Sequence, residues 1–382
     1  MIKRVIVSGD FLRPSRGVQR PSQHHNIQWL HHLVGNQIAE ATGLPVEMVA
    51  WCHDVVAKGR LTQASIQAIY GTHSIPLSID GWAALYDLPE VSEEFDAFIA
   101  WLFHDSVAVF FELPKVVERV LARHGIPYVD LTIHPVRFLD DIYLGFRAST
   151  AAMQASLDAF RLPEPFIRAM AGIQKAAAGR RYTYECPPNS MLLLLQVRDD
   201  KTQISDGRFI GAGDCLEPIV ACAARHSRCL LRPHPFDRDN PHMPLLKASI
   251  PNLVTTDENY YRLLSLDQIA TVASLSSGTC IEAPYFGKTE TYFFKKPYLL
   301  PAEGKPAGPD EYVGVYDAFL NPDFWREVLS SACPVTRRDG VEIPRKPNRL
   351  RQSLRDFWRF NEIDSDILVE QYVARTRKPI PV

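Results

Sequence analysis

The chain has 382 residues, 46% of them hydrophobic and 23% charged, with a formal net charge of -2. That length is too great for one ordinary core and suits two, while the near-balanced charge excludes binding of nucleic acid over the whole surface. The basic, then apolar opening MIKRVIVSGD stops at Gly9-Asp10, too soon for a secretory core or a membrane span, so a cytoplasmic location is the expectation.

In chain order, IKRVIVSGD predicts a strand, and Ile27, Leu30, Val34 and Ile38 at helical spacing predict a helix stopped by Gly43. SVAVFFE (106–112) reads as a strand, LPKVVERVLARHG as a helix ended by Gly125, and IPYVDL (126–131) as the next strand. From about 140 to 178 the pattern is helical and rich in alanine. ECPPNS (185–190) then breaks the helix and reads as a linker. A second series follows: MLLLLQV as strand, CLEPIVACAARH (215–226) as helix, then CLLR (229–232), NLVTT (252–256) and DQIATVAS (267–274) as strands. GTCIEAPYFG (278–287) is a helix stopped by Gly287, and TETYFF (289–294) a last strand. Strand and helix alternating in this way make an α/β protein with parallel sheets covered on both faces.

Near the end, NRLRQSLRDFWRF (348–360) sets Leu350, Leu354, Phe357 and Trp358 on one helical face, with arginines at 349, 351, 355 and 359 elsewhere. Such a helix packs on a domain or lies on an anionic membrane surface, which leaves peripheral contact with an inner membrane open. The seven cysteines form no C-x-x-C pair and read as free thiols. There is no H-E-x-x-H and no EF-hand loop, and D-x-D occurs only as DRD (237–239) and DSD (364–366). Neither a metal nor another cofactor is expected.

In open α/β sheets, ligands bind beyond the carboxyl ends of the strands. In the second series these ends carry Arg198-Asp199-Asp200, Pro233-His234-Pro235, and Leu275-Ser276-Ser277-Gly278-Thr279. SSGT opening a helix makes an anion site suited to a nucleoside monophosphate; no triphosphate loop is present. His234, confined between prolines, is a preset donor to a phosphate oxygen. Taken singly, the serines are a helix cap, the histidine a turn residue and the aspartates a solvated loop. Three polar loops at neighbouring strand ends favour one shared site.

With those residues in view, the second half resembles the bacterial retaining β-Kdo transferases of capsule and lipopolysaccharide assembly, and more distantly the CMP-sialic acid transferases. RPHP (232–235) and SLSSGTCIEAPYFGK (274–288) stand where that family has its His-Pro and serine motifs, and LQVRDD (195–200) is similar to its GQVEDD, with Leu for Gly and Arg for Glu. In the first half, FFELPKVVERVLARHGIPYVDLTIHPVRFLDDIYLGFR (110–147) is similar too.

The resemblance implies a GT-B architecture, two Rossmann-like domains with parallel sheets facing a central cleft. Residues 1–186 would bind the acceptor, 187–335 the donor, and 336–382 would form a helical segment packing back on the first domain. It also implies CMP-Kdo as donor and a saccharide, lipid-linked in such systems, as acceptor. Retention calls for a carboxylate nucleophile in a double displacement. Asp200 is the expected nucleophile and Asp199 the alternative one register away, since adjacent side chains point apart.

On the same basis His234 serves the CMP phosphate. Gln196, Ser276, Ser277 and Thr279 bind the donor, and Glu282 accepts from ribose hydroxyls or pairs with Lys288. Arg232 and Lys288 are cations for the doubly anionic donor. Glu112 is the preferred acceptor base over Asp10, and Asp10 and Arg137 line the acceptor side. His134 reads as structural, contacting Asp140 or Asp141. The rival readings are a sialyltransferase and a non-catalytic saccharide-binding subunit of a capsule assembly complex.

Overall fold

The computed structural model describes residues 1–14, 23–51, 61–179, 184–337, 350, 351 and 353. Its first strands are β1 (Arg4–Gly9), β2 (Val46–Met48), β3 (Ser106–Phe111), β4 (Tyr128–Ile133) and β5 (Leu144–Ala148). β1, β3 and β4 are buried along their whole length, as unbroken runs of branched and aromatic side chains require when helices cover both faces. The helix Gln23–Thr42 turns its Ile27, Leu30, Val34 and Ile38 inward and ends at Gly43, whose φ of 67° is the left-handed conformation that glycine adopts without strain. β5 corrects the expectation of continuous helix over 140–178: LGFRA pairs antiparallel with β4 before the helices Ala151–Asp158 and Glu164–Gly179.

The second series supplies β6 (Ser190–Leu194), the small hairpin β7 (Ile204–Ser205) and β8 (Arg208–Phe209), β9 (Arg228–Arg232), β10 (Leu253–Thr255), β11 (Ile269–Ser274) and β12 (Thr289–Tyr292). Its five-stranded sheet runs β10-β9-β6-β11-β12 with every neighbour parallel. Connections leave the central β6 first to one side and then to the other, which is the doubly wound pattern. The segment Gly278–Phe286 is the expected helix, in the tighter 3-10 form with Pro284 inside it, and stops at Gly287 in the left-handed region.

The chain returns to the first sheet earlier than residue 336. β13 (Val313–Val315) pairs antiparallel with β5, completing the order β13-β5-β4-β3-β1-β2. The following helix, Pro322–Leu329, buries Phe324 and Trp325 in the same core as Phe146 and Val34. The second unit's sheet is therefore complete before β13, and the expected division at 335 cuts through the first unit; the division at 186 is displaced too, because the helix Glu164–Gly179 puts Ile167 and Ala171 into the core with Leu192 and Leu194 of β6. Of the expected C-terminal segment, Leu350 lies in the first unit's core, Trp29 Nε1 donates to Ser353 Oγ at 2.7 Å and Arg351 N donates to Asp141 at 2.7 Å; residues 348, 349, 352 and 354–360 lie outside the described residues.

The units are joined by more than the chain crossings. Ile204 of the β7–β8 hairpin is buried in the first unit's second core cluster, and Phe209 packs against it with its ring 5.9 Å from that of Trp82. No described helix is long and apolar enough to cross a membrane.

Candidate functional site

Strand register builds the polar edge of the second sheet. Leu194 of β6 is level with Arg232 of β9 and with Ser274 of β11, so three carboxyl ends finish together about 4.8 Å apart. Two residues beyond each end stand Gln196, His234 and Ser276. Gln196 crosses the switch point between β6 and β11: its Oε1 accepts from Ser276 N at 2.9 Å, while its Nε2 donates to Asp200 Oδ2 at 3.1 Å and Thr202 Oγ1 at 3.0 Å. Asn240 ties in the third loop, donating to Gln196 O at 3.3 Å and Asp237 Oδ2 at 3.1 Å. Asp237 closes the turn that His234 opens, its N donating to His234 O at 2.9 Å.

Within that frame each expected donor-side residue takes a definite posture. Asp200 Oδ1 accepts from Thr202 N and Oγ1, both at 2.9 Å, capping the short helix Lys201–Gln203. Ser277 caps Gly278–Phe286, accepting from Thr279 N at 3.3 Å and sharing a 2.6 Å contact with Thr279 Oγ1. His234 Nδ1 accepts from Phe236 N at 3.1 Å. This bond puts the proton of a neutral ring on Nε2, the arrangement of a donor.

The first unit presents its own switch point. Gly9 of β1 is level with Phe111 of β3, and the next residues are Asp10 and Glu112. Asp10 is buried; its Oδ2 accepts from Trp82 Nε1 at 3.0 Å, and its Oδ1 has no hydrogen-bond partner among the described residues. Burial pushes its carboxyl up to about 7, against the opposing pull of Arg13 and Lys201. Glu112 adopts φ 63°, a strained conformation for a side-chain-bearing residue at a strand end.

The two switch points meet. Arg13, three residues after Asp10, lies over the Trp82 ring at 4.5 Å and pairs with Asp199 Oδ2 at 2.8 Å. Lys201 pairs with Glu112 Oε1 at 3.1 Å; burial opposes its charge, but Glu112 and the surrounding tyrosines hold its pKa well above the usual lysine value. Asp199 and Asp200 do point apart, one to the opposite unit and the other back to its own loop. Arg13, Trp82 and Lys201 carry no motif, and their roles are visible only once the units are docked.

Other expectations are revised. Glu282 is fully buried and accepts from Arg137 N at 2.6 Å and Tyr261 OH at 3.0 Å; burial raises its pKa to about 8. It is thus inside the protein, not at a ribose site, and is not paired with Lys288, whose Nζ donates to Leu266 O at 2.6 Å. Arg137 meets Glu282 through its backbone, and its carbonyl accepts from Arg351. Arg232 Nε donates to Glu258 O at 2.8 Å. His134 stacks on Tyr143 at 4.1 Å between centroids and not on the aspartates: Asp140 accepts from Tyr316, and Asp141 from Leu350 N and Arg351 N. Burial lowers the His134 pKa to about 3, so its ring is neutral and structural.

No family model and no curated protein matches the sequence. Among solved structures, the Thermosulfurimonas dismutans KpsC beta Kdo 2,7 transferase is similar at 15% identity, over 64% of this chain and 81% of that one, with a TM-score of 0.36. The beta Kdo 2,4 transferase of the same organism's KpsC overlaps at 11% identity, over 60% and 84%, with a TM-score of 0.31. The dipicolinate synthase A chain of Bacillus subtilis overlaps at 11%, over 86% and 93%, with a TM-score of 0.18.

Proposed function

We propose that this chain is a retaining glycosyltransferase that moves Kdo from CMP-Kdo to a saccharide acceptor. The observation that supports it most is the meeting of two switch points, with Asp10 and Glu112 on one side and Asp199, Asp200, Gln196 and Ser276 on the other. The order of the His-Pro, serine and LQVRDD motifs supports the donor.

In the first displacement an Asp200 oxygen bonds to the anomeric carbon as the bond to the phosphate oxygen breaks, and the electron pair leaves with CMP. Gln196 and Thr202 hold that carboxylate in place, while Nε2 of His234 and the Ser277–Thr279 turn receive the phosphate. In the second, the acceptor oxygen attacks the same carbon, the Asp200 bond breaks, and a base takes the hydroxyl proton. Asp10 rather than Glu112 is the base, because a carboxyl raised to about 7 takes up a proton more readily than an ordinary aspartate whereas Glu112 neutralises Lys201. The steps need no metal, and transfer should persist in excess EDTA.

Intact-mass measurement after incubation with CMP-Kdo tests the scheme. A Kdo-sized adduct localised to Asp200 and absent from Asp200→Asn is the expected result. An adduct on Asp199 moves the nucleophile, and preferential turnover of CMP-sialic acid changes the donor. Binding of CMP with no turnover of either donor, unaffected by Asp200→Asn, overturns the enzyme reading in favour of a saccharide-binding subunit.

A further inference from the structure

Beside the cluster just described lies a cavity of about 310 Å³ between β6, the β8–helix connection and the helix Ile79–Tyr86 of the opposite unit; Gln196, Gln203, Asn240 and His242 line it, with Asp80 from across the cleft. Gln203 is 4% exposed, and its buried Oε1 has no hydrogen-bond partner among the described residues. A buried amide oxygen left unsatisfied is destabilising, and a small turn of the side chain toward the adjoining space would let a hydroxyl donor satisfy it.

The lining also selects by charge. Asp80 and Asp214 are carboxylates on the cavity wall, Asp214 paired with Arg208 at 2.8 Å, and Arg198, also on the wall, faces Asp237 at 3.4 Å. With its cation and one of its carboxylates already paired, the wall offers a dianion little attraction, whereas amides and a neighbouring aromatic, Phe209, suit a neutral polyol. Gly211 lets the His242 ring lie against the backbone: a Cβ there would overlap that ring.

We propose that this cavity is a subsite for a neutral pyranose ring, with Gln203 Oε1 accepting from one ring hydroxyl. Assigning that ring to the acceptor rests on the transferase reading. The cavity joins the proposed nucleophile through Gln196, whose side chain both lines it and bonds Asp200.

Saturation-transfer NMR with the methyl pyranosides of glucose, galactose, mannose and N-acetylglucosamine tests it on the full chain, with CMP as a second probe. At least one glycoside should receive saturation from the wild type, and Gln203→Met should weaken it about fivefold with CMP binding unchanged. Asp80→Ala, at an exposed position in the first turn of its helix, should weaken the same glycoside. Absence of glycoside binding, equal binding by both variants, or displacement of the glycoside by CMP overturns the subsite. The two proposals fail separately. Glycoside binding that depends on Gln203 in a protein without turnover sinks the transferase and keeps the subsite; turnover of CMP-Kdo with an unchanged acceptor KM in Gln203→Met does the reverse.

Discussion

Asp10 shows how one residue's surroundings set its chemistry. Between the ordinary aspartate value and about 7, the folded protein keeps the Asp10 proton and the unfolded chain releases it, so stability falls as pH rises through that window. Thermal unfolding of Asp10→Asn should therefore lose less stability than wild type between pH 4 and pH 7, on the order of 1.4 kcal/mol less for each tenfold difference in proton affinity between the folded and unfolded carboxyl. Glu282, raised to about 8, acts in the same direction and leaves a residual slope. For activity the sign reverses, because the base must be ionised: the rate should climb with pH to a plateau above about 7. Asp10→Asn should lower it by roughly 10²–10⁴ and abolish that limb; an unchanged pH profile would exclude Asp10 as base. Asp10 is legible in sequence as the residue closing VIVSG, whereas its raised pKa is not, because the burial that raises it comes from packing, and Trp82 and Lys201, which pull it back down, are 72 and 191 positions away.

Between elements, the Arg13–Asp199 pair ties the loop after β1 to the loop after β6. Asp199 is almost wholly buried and Arg13 is partly open, so Arg13→Ala takes a positive partner from a buried carboxylate and should cost about 2 kcal/mol, below the figure for breaking a fully buried pair. Denaturant unfolding checks this, and adding Asp199→Asn to Arg13→Ala should recover part of the loss; simple additivity would mean the two do not interact. At the β8–helix connection, Gly211→Ala should displace His242 and weaken glycoside binding while CMP binding persists, as measured by NMR titration with each. The strands themselves were readable from their branched, apolar runs. β5 was missed because LGFRA is short and set among alanine-rich helices, and the 3-10 form of 278–286 follows from Pro284, which removes an amide donor inside the segment.

On the scale of the molecule, the first unit is discontinuous. Phe324 and Trp325 pack around Phe146 at ring-centroid distances of 5.3 and 6.3 Å, and β13 covers the edge of β5. A fragment of residues 1–186 should therefore lack a stable core and be insoluble or molten, and the full chain, with Ile204 buried across the boundary, should unfold in a single calorimetric transition. A soluble fragment that melts cooperatively would show that the return of the chain is dispensable.

The sequence alone determined the α/β class and the three polar strand ends, because periodicity and turn chemistry are local and the register of parallel strands aligns their carboxyl ends. Only the tertiary structure decided which polar residues share a site. It buried Glu282 and Lys288, which sequence proximity had placed with the serines, and it brought Arg13, Trp82 and Lys201 to the carboxylates. Those choices depend on how two sheets dock, and docking is fixed by complementary surfaces contributed by segments far apart in the chain.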